Sequence, residues 1–211
     1  PGVVHAAAID KQRGCPVSSV PKRILERVGA VNHQGVIAEA APHPYVDLAE
    51  MLANAESEPP LILVLDHLQD VQNLGTLLRT AEAMAVTGIV LPARRAAGVT
   101  PAVVNASAGA VEHLHIAQIG SISQALTTLK AAGIWVAGLD SGPGTIPLGR
   151  SDLAGPLALV VGAEGPGLAR LVRERCDWLV TIPMSGQVAS LNAAVAGSVV
   201  LVAARQARSA G

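Results

Sequence analysis

LILVLDHLQDVQNLGTLLRTAEAMA, residues 61–85, decides the fold. Its first five residues are apolar and Asp66 closes the run, a pattern too uniform to leave one face in water. Such a strand is buried on both faces and belongs to a parallel sheet. A polar loop follows. From Asn73 onward, Leu74, Leu77, Leu78, Ala81, Met84 and Ala85 recur on one helical face, so a helix is expected over 73–85. A strand followed by an amphipathic helix is the repeating unit of α/β proteins.

Reading outward in both directions gives more of the same. Strands are expected at 88–91, 134–139, 157–161 and 178–182, and helices at 101–106, 121–132, 168–175 and 190–208. Pro101 suits the first turn of its helix, and Ser190 is placed as the cap of the last one. Gly142, Pro143, Gly144, Pro147 and Gly149 mark a long loop. The expectation is a mostly parallel α/β sheet with helices on both faces.

The residues before 59 read differently. A short amphipathic helix is expected at 20–30, a strand at 35–41 and a second helix at 46–56. Glu58-Pro59-Pro60 then breaks the chain, because proline cannot continue a helix and stiffens what precedes it. The expected domains are therefore 1–58 and 59–211. The chain starts at Pro1 rather than Met and reads as part of a longer protein.

Composition narrows the function. The chain has 211 residues, 50% of them hydrophobic, with two Trp, one Tyr and no Phe, so its core is built from small aliphatic side chains. The net charge of −1 argues against nucleic-acid binding by bulk electrostatics. The basic clusters Lys22/Arg23/Arg27, Arg94/Arg95 and Arg205/Arg208 each read, taken alone, as solvated surface charge. Cys15 and Cys176 form no CxxC and imply a reduced compartment without a disulfide framework. His113 and His115 would share one face of a strand, but no third ligand stands near them, and no metal site is expected. There is no signal-like N-terminus, and the apolar stretch 193–204 is shorter than the ~20 residues a bilayer span needs. A cytoplasmic protein is expected.

Three segments could carry chemistry. The first runs from Asp66 to Arg79, where Arg79 falls nearly opposite the apolar helix face and sits near the strand end at which α/β sheets bind ligands. The second is VVGAEGPGLARL at 160–171, with glycines spaced GxxGxG rather than GxGxxG and no phosphate-loop lysine. Glu164 inside that loop would repel a pyrophosphate and suits a cofactor with a positive centre, such as S-adenosylmethionine. The third is the stretch 181–207, where Ile182-Pro183-Met184 ends a strand and Ser190, Leu191 and Asn192 open the last helix. The Ala/Val/Gly-rich body of that helix suggests close packing against another helix, including one across a dimer.

In this order the three segments resemble the motifs of the SPOUT methyltransferases, specifically the SpoU or TrmH type, over about residues 61–208. NHQG at 32–35 and NASAGAVEHL at 105–114 are similar to the branch that methylates a guanosine ribose of large-subunit ribosomal RNA. The resemblance implies a C-terminal deep trefoil knot, S-adenosylmethionine bound in it, and RNA as substrate. It implies a homodimer through the C-terminal helix region, and an L30e-like RNA-binding domain of which residues 1–58 would be the latter part. By matching position it assigns Asn73, Arg79, Glu164, Ser190 and Asn192 to catalysis. Gly138, Leu139, Gly162, Ile182, Met184 and Leu191 fall to the cofactor. Two positions depart from the pattern: Asp70-Val71-Gln72-Asn73 replaces the usual Asp-Pro, and Ala85 stands where glycine is common. Transfer RNA methylation, a ribosomal antibiotic-resistance methylase and a nicotinamide-dependent oxidoreductase remain as alternatives.

Overall fold

The computed structural model describes residues 14, 16–28, 35–53 and 59–209. The chain forms two compact units, 1–42 and 43–211. In the first, α1 (Lys22–Leu25) continues into a 3-10 turn, Glu26–Val28, and Lys22 pairs with Glu26 at 3.5 Å on an exposed face. Residues 35–41, expected as a strand, form none among the described residues, and Val36 and Ile37 are 45% and 38% exposed. Much of the expected L30e-like domain, and Asn32 to Gln34 of the NHQG run, lie outside the described residues.

The second unit is built on a seven-stranded sheet of order β3-β2-β1-β6-β4-β7-β5, all of whose pairs are parallel. The strands are β1 (Leu61–Asp66), β2 (Gly88–Pro92), β3 (Ile116–Ile119), β4 (Trp135–Leu139), β5 (Thr145–Pro147), β6 (Leu157–Gly162) and β7 (Trp178–Thr181). Every residue of β1 is buried, as its uniform apolar run requires. Its alternate side chains enter two separate cores. Leu61, Leu63 and Leu65 meet one group of helices and Ile62 and Val64 another.

Two helices, α3 (Val71–Ala83) and α7 (Ala193–Ser209), cover the first face with Leu74, Leu77, Leu78, Val200 and Leu201. On the second face, α5 (Ile122–Ala131), α6 (Arg170–Arg175) and α2 (Leu48–Ala53) supply Leu126, Leu129, Val172 and Met51. The short helix α4 (Pro101–Ala106) is capped by Thr100 and packs against α3.

Residues 43–53 belong to this unit, although the sequence pattern places them ahead of a break at 58. Val46 bridges to Ala117 and donates its N–H to the Ile116 carbonyl at 2.9 Å. Met51 is buried so closely on Gly88 that a Cβ there would overlap its thioether. Strands β3 and β5 were not visible as patterns. His113 ends a 3-10 turn, Ala110–His113, and His115 precedes β3, so the two histidines share no strand. Among the described residues no cluster of His, Cys, Asp or Glu could hold a metal, and no helix is long and apolar enough to cross a membrane.

Candidate active site

β1 lies at the point where the sheet grows in two directions, toward β2 and β3 on one side and β6 on the other. Ligands bind outside the carboxyl ends of strands at such a switch. A cavity of about 640 Å3 opens there, at the ends of β4, β6 and β7 and against the start of α7.

The β6 end explains the glycine spacing. After Gly162 the chain folds back on itself, with Ala163 and Gly167 bridged and the Gly167 N–H donating to the Ala163 carbonyl at 3.0 Å. A Cβ on Gly162 would overlap the Gly167 and Leu168 backbone, and Gly167 itself sits at φ +67°. The glycines therefore serve the loop's own closure and leave Glu164 at the cavity. Buried Asp66, in register with Gly162, holds the far side of the loop by accepting the Ala169 N–H at 2.7 Å. Its other oxygen meets His67 Nδ1 at 2.6 Å.

Helix α3 begins two residues earlier than expected, because Asp70 caps it: the Asp70 carboxylate accepts the Asn73 N–H at 2.8 Å. That leaves the Asn73 side chain free to reach sideways. Its Nδ2 donates to Glu164 Oε1 at 2.7 Å. Asn192 Nδ2 donates to the same oxygen at 2.5 Å and to Asn73 Oδ1 at 3.0 Å. Three segments far apart in sequence are thus joined by one carboxylate and two amides, with charge-assisted bonds at its centre.

Asn192, not Ser190, caps α7. Its Oδ1 accepts the N–H groups of Ala194 and Val195 at 2.9 and 3.2 Å, and the helix starts at Ala193. An amide can accept at one end and donate at the other, which a hydroxyl with a single hydrogen cannot match here. Ser190 is exposed and lines the cavity instead.

Leu139, Gly162, Glu164, Ile182, Met184, Ser190, Leu191 and Asn192 all line this cavity. Gly138 does not: it is buried beneath it, against Cys176, Leu168 and Leu179. Asn73 stands behind the wall, reaching it through Glu164 and Asn192. Arg79 is elsewhere, exposed on α3 and, among the described residues, without a hydrogen bond or ion pair. Asp140 is a lining residue the sequence reading overlooked. It follows β4 directly, accepts the Ser141 N–H at 2.7 Å and takes Arg173 Nε at 2.6 Å. Its signal was available, as a carboxylate at a predicted strand's C-terminal end.

Among the described residues, the lining contains two carboxylates, Glu164 and the Arg173-paired Asp140, and no lysine, arginine or histidine. Such a cavity favours a compact molecule with a positive centre and disfavours a polyphosphate. Residues 60–202 match the SpoU rRNA Methylase family model. The chain belongs to that family. A Bacillus subtilis (strain 168) protein, YacO, named as a TrmH family tRNA/rRNA methyltransferase, is 41% identical over 198 residues, covering 90% of this chain and 77% of that one. Among solved structures, the AdoMet-bound rRNA methyltransferase of Sinorhizobium meliloti superposes with a TM-score of 0.78 at 26% identity, over 98% of this chain and 77% of that one. The SpoU methyltransferase AviRb of Streptomyces viridochromogenes, in complex with AdoMet, gives 0.71 at 29% identity over 80% and 67%. Family membership carries the enzyme class, an RNA methyltransferase, on the parallel α/β fold described above.

Proposed function

We propose that this SpoU-family chain methylates a ribose 2′-hydroxyl in RNA with S-adenosylmethionine as donor, the favoured target being a guanosine of large-subunit ribosomal RNA. The observation that carries the reading is the Asn73–Glu164–Asn192 knot of hydrogen bonds beside a cavity lined by carboxylates and no cation. The residues fit the cofactor: Leu139, Ile182, Met184 and Leu191 offer apolar surface, and Glu164 offers negative charge to a sulfonium. When bound, S-adenosylmethionine supplies a methyl group on a positively charged sulfur. Ribosomal RNA is favoured by the resemblance of 105–114 to that branch. The nicotinamide reading loses ground, because nothing cationic lines the cavity to meet a pyrophosphate.

The remaining roles belong to the chain. Arg79 acts as a guanidinium that holds the phosphate next to the acceptor ribose and favours its alkoxide. Asn73 and Asn192 fix Glu164, and Ser190 shapes the acceptor side. Arg79 lies six residues beyond Asn73, about 9 Å along the helix axis, outside its own cavity. A second copy, docked through the exposed α7 residues Val195, Val199 and Val202, completes the site by bringing its Arg79. The remaining features of the family are proposed with it: a C-terminal deep trefoil knot, an L30e-like RNA-binding segment ahead of the catalytic domain, and work in the cytoplasm. The test is calorimetric titration with S-adenosylhomocysteine, followed by tritiated methyl transfer to total RNA and nucleoside analysis. Arg79→Ala should bind S-adenosylhomocysteine and lose transfer. Wild-type turnover in that variant, or a methyl group found on a base, refutes the reading.

A further inference from the structure

Eight of the nine arginines of the catalytic unit fall into two sets, and the ninth, Arg205, is also engaged. Arg170 pairs with Glu174 at 2.8 Å, Arg173 with Asp140 at 2.6 Å and Arg175 with Thr127 at 2.7 Å, and Arg208 bonds the carbonyls of Pro59, Pro60 and Gly155. Arg79, Arg94, Arg95 and Arg150 have no hydrogen bond or ion pair among the described residues. The first set is engaged within the chain. The second is charge left over for something else.

Arg94 and Arg95 sit side by side in the loop after β2, and both are exposed. That loop is not slack. The Ala93 N–H donates to the Ile119 carbonyl at 2.8 Å, the Ala97 N–H to the Leu68 carbonyl at 2.9 Å and the Val99 N–H to Tyr45 Oη at 3.0 Å. Its ends are fixed and its basic tip projects. Arg95 is held at φ +58°, a left-handed conformation that an arginine adopts at a cost. Residues 93–99 contain no carboxylate that could neutralise the pair.

Position gives the pair a purpose. The loop leaves the carboxyl end of β2, the same rim of the sheet as the cofactor cavity. β2 and β6 are separated only by β1, so the two strand ends are about 10 Å apart. Of the cavity's two carboxylates, Asp140 is paired with Arg173, and Glu164 is left to repel the phosphates of an approaching RNA. A fixed positive pair at the rim offsets that repulsion where the chain's net charge of −1 cannot.

We propose that Arg94 and Arg95 form a built phosphate-binding clamp for the RNA backbone flanking the methylated nucleotide. The proposal rests on the RNA methyltransferase reading and adds to it the residues that hold the substrate. The clamp positions the backbone and reads no sequence.

The experiment uses the whole 211-residue chain, a fluorescein-labelled hairpin RNA of mixed sequence and anisotropy titrations at several KCl concentrations. With Arg94→Gln and Arg95→Gln combined, affinity should fall about tenfold or more near 0.1 M salt, and the slope of log affinity against log salt should lessen by about 2. Affinity for S-adenosylhomocysteine should not change. Arg150→Gln, an unpaired arginine beside Trp135 and Trp178 at the opposite end of the sheet, should behave as wild type. Arg95→Gly relieves the left-handed backbone, so it should raise the melting temperature while weakening RNA binding, a combination no purely structural role produces. If wild type binds the hairpin and the double variant binds it with the same affinity and slope, the clamp is overturned and the methyltransferase reading stands. If wild type binds S-adenosylhomocysteine but shows no salt-dependent RNA binding and no transfer to RNA, both fall together.

Discussion

Replacing Glu164 by alanine removes the one acceptor that Asn73 and Asn192 share. Two bonds go, at 2.7 and 2.5 Å, both to a charged oxygen. Hydrogen bonds to charged groups contribute about 1.5–3 kcal/mol each. Glu164 is exposed, so water screens the pair and offers the amides other partners. The Asn192–Asn73 bond at 3.0 Å also survives. About 1–2 kcal/mol is the expected loss, which corresponds to a factor of roughly 5–30 in an equilibrium constant. Because the bonds join the loop after β6 to the starts of α3 and α7, that loss should fall on cavity closure and hence on ligand affinity. Calorimetry with S-adenosylhomocysteine isolates this geometric effect, since that molecule has no sulfonium. S-adenosylmethionine should lose more, because the charge of Glu164 goes as well. Glu164→Gln keeps an acceptor oxygen without the charge and should fall between wild type and alanine. If Glu164→Ala binds S-adenosylhomocysteine as wild type does and melts at the same temperature, the carboxylate does not organise this site.

Gly162→Ala should destabilise the protein by about 1–3 kcal/mol and abolish detectable cofactor binding, because the new Cβ meets unyielding backbone at Gly167 and Leu168; denaturant melts and calorimetry check it. Burial, aided by Asp177, pushes the Cys176 thiol up to about 12, so the native state resists ionising a group that titrates near 8.5 when unfolded. The unfolded chain therefore holds fewer protons above about pH 8.5, so the melting temperature should fall as pH rises beyond that point, and iodoacetamide at about pH 8 should leave Cys176 unlabelled until the protein unfolds. Mixing Arg79→Ala with Asn192→Ala chains should restore about a quarter of wild-type transfer, since random pairing makes half the dimers mixed and each mixed dimer holds one intact site. Complete inactivity of the mixture, with subunit exchange verified, excludes a site shared between chains.

The central strands and the covering helices were legible because burial leaves a plain mark: β1 is wholly apolar and α3 is apolar on one face. What escaped was set by contacts rather than pattern. β5 has three residues, ends in proline and pairs as a strand with β7 at the sheet edge, so nothing in its composition separates it from a loop. The place of α2 depends on Met51 filling the space over Gly88, a pairing 37 positions apart that no local signal announces. Ser190 and Asn192 are equally good caps by residue type. The choice between them depends on Glu164, which draws the Asn192 amide toward it while its carbonyl oxygen takes the helix. The GxxGxG spacing does not say what its glycines are for, because Gly162 is crowded by its own loop, a contact no local pattern records.

The arginine missing from the cavity follows from the same chemistry. A guanidinium within reach of Glu164 would outcompete two neutral amides for its carboxylate, because ion pairs with forked donors are the stronger bonds. The loop after β6 would then lose its ties to α3 and α7, and the cavity would lose the negative charge that suits a sulfonium. Keeping Arg79 on the outer face of α3 preserves both. The positive charge that RNA requires is instead held outside the cavity, at Arg79 and at the Arg94–Arg95 loop. In the dimer proposed above, Arg79 reaches the acceptor's phosphates only once a second chain and the RNA have assembled around the site. Segregating the charges lets one small cavity favour a cation while its rim favours a polyanion, and on the proposed dimer it would make methyl transfer depend on assembly rather than on cofactor binding alone.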